Sequence, residues 1–373
     1  MIRRLLATLT VAAAVLAIAV AISSCASKHD GSGTATPTAV PDSSTQTTQT
    51  SASPASASAY IMFHDDTGAL VARDFASGKS SRQTVDATIE VITLMRCSQD
   101  GSRIAYLKQV FADATHRQIV IRGSNAPAQP LTVPALVQWI AWSPNGNKMA
   151  LVEWDGKNKK ATVAVLDVNT GQMTTIMQGN QYVGDIAWSP VGDRLTFYLE
   201  DTSSTSSEIY VIDATGANQV QLTHGNGDVT WLDPAWSPDG SSILAAGEQS
   251  NSVQLYRIDP STGATTQLTQ SNDIYKRNPY YSPDGSIVAY TGSIVLPGVA
   301  VSTAALHQFA IFTMNPDGSN ERALTADPRG TTPGPNDPFL NAYMLGWCAA
   351  GPWLDDLWTQ AGEATATPAG ATP

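Results

Sequence analysis

Charge is scarce in this sequence. Only 14% of its 373 residues are Asp, Glu, Lys or Arg, against roughly a quarter in an ordinary globular chain. Basic residues are the scarcer sign, 21 against 32 acidic, for a net charge of −11. A nucleic-acid binder needs cations to displace counterions from phosphates, so that class is excluded. Cysteine is nearly absent. Three residues are too few for a disulfide-dense scaffold or a four-thiolate zinc site. The histidines, His29, His64, His116, His224 and His307, show no His-x-His or His-Glu-x-x-His spacing, which argues against a zinc enzyme. There is no Gly-x-Ser-x-Gly elbow and no glycine-rich phosphate loop after a strand-like run. Turn residues, by contrast, are plentiful: 28 Gly and 22 Pro are spread along the chain.

The two ends differ from the middle. Arg3 and Arg4 precede an apolar run from Leu5 to Ile22, broken only by Thr8 and Thr10, and Ile22-Ser23-Ser24-Cys25 follows. This order of parts resembles a bacterial lipoprotein signal. The resemblance implies cleavage after residue 24, lipid on the Cys25 thiol and export to a bacterial membrane. An uncleaved membrane anchor is the alternative, though the run is short for one. Residues 25–59 are rich in Ser, Thr, Ala and Pro, with Val40 the only large apolar side chain. Such a stretch cannot bury enough surface to offset its ordering entropy, so it reads as a tether. Residues 361–373 have the same composition and read as a tail.

Between the ends a motif recurs. Ser143-Pro144-Asn145-Gly146, Ser189-Pro190-Val191-Gly192, Ser237-Pro238-Asp239-Gly240 and Ser282-Pro283-Asp284-Gly285 each follow an aromatic residue: Trp142, Trp188, Trp236 or Tyr281. Weaker copies end at Gly101 and Gly351. The spacing is about 45 residues, except for a longer last interval, and a period in the forties marks a four-stranded propeller blade. Proline presets φ for the first turn position, and glycine takes the left-handed one. A second turn recurs about 25 residues on, at Gly78, Gly123, Gly171, Gly216, Gly263 and Gly318. With strands lettered a to d from the ring's centre outward, the first turn joins a to b and the second joins c to d. Six of each predict an all-β fold, a six-bladed β-propeller over residues 60–360. The series is offset, so one blade is split. Residues 60–64, 69–74 and 82–85 supply its outer strands, and residues 342–347 return as its innermost, which closes the ring.

These Trp-Ser-Pro-Asp-Gly and Asp-x-x-Thr-Gly repeats resemble those of the TolB propeller family. The resemblance implies the fold but not a function, because such repeats occur in binding proteins, in propellers of prolyl-oligopeptidase-type enzymes and in polysaccharide lyases. With Cys25 assigned to lipid, Cys97 and Cys348 remain, on innermost strands that are neighbours in the ring. An oxidising compartment makes a disulfide between them an expectation, and two buried thiols are the alternative.

The a–b and c–d turns share one face of such a ring, and the b–c and d–a connections share the other. Long or polar connections at residues 201–207, 293–307 and 327–341 lie on that second face, which is therefore expected to carry function. Its d–a connections bring His224, Asp228, Asp233, Asp273, Tyr275, Lys276, Arg277, Asp327 and Arg329 to the channel mouth as candidate ligand-binding residues, with room for a divalent cation among the carboxylates. The alternative for Asp228 and Asp233 is hydrogen bonding to the backbone of their own loops. The expected protein is a monomeric, lipid-anchored binding module for a protein or cell-envelope polymer, without a catalytic residue or resident metal. The alternative is a channel-mouth enzyme, a polysaccharide lyase or lactonase-like hydrolase.

Overall fold

The computed structural model describes residues 59–64, 70–83, 90–110, 116–123, 130–200, 206–225, 227–250, 252–295, 307–325 and 343–349. Cys25, the tether, the tail, Asp327, Arg329 and most of the three long connections lie outside them. The described residues form six sheets of four strands. Blade 1 holds β1 (Ala59–His64), β2 (Leu70–Asp74) and β3 (Ser80–Gln83). Blade 2 holds β4 (Glu90–Cys97), β5 (Arg103–Val110), β6 (His116–Gly123) and β7 (Leu131–Pro134). Blade 3 holds β8 (Val137–Trp142), β9 (Lys148–Asp155), β10 (Lys160–Asp167) and β11 (Met173–Gly179). Blade 4 holds β12 (Tyr182–Trp188), β13 (Arg194–Glu200), β14 (Ser207–Asp213) and β15 (Val220–Gln221). Blade 5 holds β16 (Thr230–Trp236), β17 (Ile243–Gln249), β18 (Ser252–Ile258) and β19 (Thr265–Gln267). Blade 6 holds β20 (Tyr275–Tyr281), β21 (Val288–Val295), β22 (His307–Met314) and β23 (Arg322–Ala323). The last strand, β24 (Tyr343–Ala349), returns to blade 1 and pairs antiparallel with β1. The innermost strands β24, β4, β8, β12, β16 and β20 contact one another in sequence around the ring. The all-β, six-bladed expectation therefore holds, split blade included. The bounds in the split blade shift by one or two residues: β3 begins at Ser80 rather than at 82, and β24 runs Tyr343–Ala349 rather than 342–347.

Burial explains the strand pattern. Middle strands are sandwiched between neighbouring blades, so they read as continuous apolar runs: Met149, Ala150, Leu151 and Val152 of β9 are all fully buried. Outer strands have one wet side, and β11 alternates only loosely between half-buried and exposed. The turns are built from side chains. In blade 5 the Ser237 hydroxyl donates to Asp239 at 2.6 Å and accepts from the Ser242 amide at 2.9 Å. The same arrangement holds Ser98 with Asp100 and Ser282 with Asp284, so the weak copy at Gly101 is a full one in space. Repeat glycines are left-handed throughout the described residues, from Gly78 (φ 68°) to Gly318 (φ 87°). In the c–d turns of blades 4, 5 and 6 a side chain there would also strike the preceding blade. A Cβ on Gly263 would overlap the Leu222 carbonyl, and one on Gly318 that of Leu268.

Blades are tied to their neighbours through the motif tryptophans. Arg103 of blade 2 lies 5.2 Å over Trp142 of blade 3, whose Nε1 donates to the Arg96 carbonyl at 3.0 Å. Arg194 of blade 4 lies over Trp236 of blade 5 in the same way. At the closure, Cys97 of β4 and Cys348 of β24 are joined as a disulfide with a Cα–Cα distance of 5.5 Å.

Candidate functional site in the central channel

Each innermost strand carries a register shift, and in blades 4, 5 and 6 it takes one form. Two residues oppose one across from Phe197, Ala245 and Tyr290, as in a β-bulge. The first of the two is Asp185, Asp233 or Asn278, with φ of 43°, 55° and 51°. Asp and Asn tolerate this left-handed region because their short side chains bond locally. Each stands three residues ahead of the motif aromatic, Trp188, Trp236 or Tyr281. Pro234 and Pro279 follow two of them, and a bulge is where a strand accepts proline. Blade 4 also makes room for a ring. A Cβ on Gly184 would collide with Tyr198, which lies within the same strand pairing.

The bulges aim three polar side chains at one cavity, lined by Asp185, Ile186, Ala187, Asp233, Pro234, Asn278, Tyr280 and Arg96. It offers about 30 Å³ to the centres of water molecules, enough for one or two waters. Arg96 comes from blade 2, on the opposite side of the ring from blade 5, and its guanidinium lies 5.4 Å from the centre of the Tyr280 ring. The cavity is thus the middle of the channel.

The bonding there is dense. Asp233, 5% exposed, accepts from Arg277 Nε at 2.5 Å and Nη2 at 3.0 Å, and from the Asn278 amide at 2.9 Å. The Asp185 carboxyl hydrogen-bonds Asp233. Burial, with the Asp233 charge beside it, pushes Asp185 well above the usual carboxylate range. Asp233 goes the other way: against its own burial, Arg277 holds it below that range. Two carboxylates this close cannot both ionise cheaply, so the pair's proton resides on Asp185. Burial also raises the phenols around them, Tyr280 to about 12 and Tyr198 well above its ordinary value.

This corrects part of the sequence-based expectation. Asp233, Tyr275, Lys276 and Arg277 belong to strands β16 and β20, not to d–a loops. Asp233 bonds the neighbouring blade rather than the backbone of its own loop. Lys276 is fully buried, and its Nζ donates to the carbonyls of Ser271 at 2.6 Å and Ile274 at 3.3 Å. His224, Asp228 and Asp273 are exposed, and Tyr275 is half-buried; none of the four lines the cavity. Among the described residues no three His, Cys, Asp or Glu side chains gather as a metal-binding group. Asp185, Asn278 and Arg96 escaped the sequence reading. The recurrence of Asp or Asn three residues ahead of the motif aromatic was the signal that marks two of them; Arg96 has none, since only the closed ring brings it there.

Comparisons with known proteins match this architecture. Residues 112–337 match the TolB beta propeller domain. Among solved structures, a putative TolB from Agrobacterium tumefaciens is 18% identical with a TM-score of 0.53, over 78% of this chain and 99% of that one. TolB from Acinetobacter baumannii is 16% identical with a TM-score of 0.57, over 78% and 67%. A chain of a nidogen/laminin complex is 13% identical with a TM-score of 0.52, over 78% and 97%. At these identities the likeness is one of fold. A search of the curated proteins finds no match. The domain match spans more than half of the sequence and carries the same repeats that build the ring: the chain belongs to the TolB β-propeller domain family.

Proposed function

We propose that this protein is a lipid-anchored, extracytoplasmic propeller that binds a protein or cell-envelope polymer at the face carrying its b–c and d–a connections. One observation carries the reading. The channel's polar groups are engaged with one another, Asp233 with Arg277 and Asp185 with Asp233, which leaves the rim connections as the surface for recognition. The nidogen/laminin structure, a complex, is an instance of a similarly folded chain in a protein assembly. The lipobox-like Ile22-Ser23-Ser24-Cys25 supports the anchor, and no helix of the described residues is long and apolar enough to cross a membrane. Deleting residues 327–341 should abolish partner capture from solubilised envelopes while circular dichroism stays that of the intact ring. Changing Cys25→Ser should release the protein from the membrane fraction and prevent incorporation of a labelled fatty acid. Capture that survives the deletion contradicts the face; membrane retention and labelling that survive the substitution contradict the anchor.

One observation favours a second reading, a channel enzyme such as a polysaccharide lyase or lactonase-like hydrolase. Carboxylates whose proton affinities are pushed apart are the usual arrangement for general acid and base. That reading requires turnover of an oligouronide or lactone that disappears in both Asp185→Asn and Asp233→Asn; no turnover by the unaltered protein removes it.

A further inference from the structure

The channel cluster joins four blades through very few atoms. Asp185 sits on β12, Asp233 on β16, Arg277 and Asn278 on β20, and Arg96 on β4 across the channel. β12, β16 and β20 are successive innermost strands of the ring, and β4 faces them across the channel. The Asp233 carboxylate alone connects β16 to β20 through three hydrogen bonds, and the Asp185 carboxyl connects β12 to β16. We propose that this cluster is a proton-dependent clasp: the hydrogen shared between Asp185 and Asp233 holds the innermost strands of blades 4, 5 and 6 together, and its loss loosens the channel wall.

Both oxygens of Asp233 are committed to Arg277 or Asn278, with Oδ2 serving Arg277 Nε and the Asn278 amide. That carboxylate is thus the acceptor and Asp185 the donor. Removing the donor's proton leaves two carboxylates in contact inside a cavity that holds at most a few waters. The groups facing Asp185 do not relieve this evenly. Arg96 and Arg277 favour its charge, while Asp233 opposes it. Burial raises the phenols of Tyr182 and Tyr198, from β12 and β13, and of Tyr280, from β20, and the Asp185 charge pushes each the same way. The backbone adds a constraint, since Asp185 and Asp233 stand at left-handed φ on bulged strands and have little freedom to turn away without unpairing them. Blade 6 supplies an internal comparison. It carries Asn278 at the equivalent position, a side chain that donates without titrating.

Asp185→Asn therefore tests the proposal in the mature, full-length chain. Asparagine tolerates the left-handed φ and keeps a donor toward Asp233, but holds no titrating proton. Amide exchange in residues 182–188, 230–236 and 275–281 is followed against pH, corrected for the intrinsic pH dependence of exchange. In the unaltered protein, protection of these strands should fall at least tenfold as pH rises through the Asp185 titration, while the fully buried residues 149–152 of β9 keep theirs. In Asp185→Asn the innermost strands should show no such step. Carbon-13 NMR of the aspartate carboxyls in the unaltered protein gives the titration directly, whether or not the variant folds. Asp185 titrating in the ordinary carboxylate range, or the same step in protection in Asp185→Asn, would overturn the clasp.

Discussion

At the residue scale the channel shows how one side chain comes to depend on another. Asp233 is buried yet ionised chiefly because Arg277 forks onto it. Removing one partner of such a pair strands the other charge, which costs about 3–5 kcal/mol. Asp233→Ala should therefore lower stability by roughly that amount in urea unfolding, and Asp233→Asn by clearly less, because an amide still accepts from Arg277. Equal, small losses would mean that the ion pair carries no structural role. Asp185 makes the opposite kind of contribution. Its folded proton affinity is raised, so the stability it adds is complete below the unfolded aspartate value and is lost as pH rises through the folded one. Sequence reasoning placed Asp233 near a channel but in a d–a connection, and the Pro234 that follows it is a residue that strands usually exclude. At a bulge proline fits, and a two-residue irregularity is invisible to a search for period-two alternation.

At the element scale the repeated turns are the unit of construction, and here the sequence was most legible. Every repeat glycine within the described residues takes the left-handed conformation its turn requires. This worked because turn chemistry is local, whereas the channel cluster depends on which blade faces which. A second local device went unread. The Leu255 amide donates to Thr269 at 2.9 Å, and Ile209 with Thr223 and Ile311 with Thr325 repeat the pairing at the same separation, so a threonine takes over where the d strand ends. The turn carboxylates give the fold an acid limit. The Ser237 hydroxyl holds Asp239 below its ordinary value, the Thr170 amide does so for Asp167, Ser261 for Asp259 and the Ser77 amide for Asp74. Stability from depressed groups is present above the unfolded value and lost as pH falls through the folded ones. The thermal midpoint should thus drop below about pH 4, and replacing these four aspartates together by Asn should flatten that drop; an unchanged slope would show that the turns do not set it.

At the scale of the whole molecule, the ring must be closed by strands from opposite ends of the sequence. β24 pairs with β1 inside blade 1, and the Cys97–Cys348 disulfide ties β24 to blade 2 as well. The bridge spans 251 residues of sequence, so reduction frees a very large loop in the unfolded chain. Cys348→Ser should cost roughly 2–5 kcal/mol and make β24 the first strand to lose amide protection; simultaneous loss in every blade would mean that closure is not the weak point. A ring so completed carries the short hydrogen-bonded a–b and c–d turns on one face, and the proposed function rests on the long connections, not these turns, recognising the partner. Photoreactive residues placed singly along 201–207, 293–307 and 327–341, and in the turns at Asn145, Val191 and Asp239, test it most directly in intact cells. The account predicts covalent adducts from the long connections and none from the turns. Adducts from the turns alone, or equally from both faces, would contradict it.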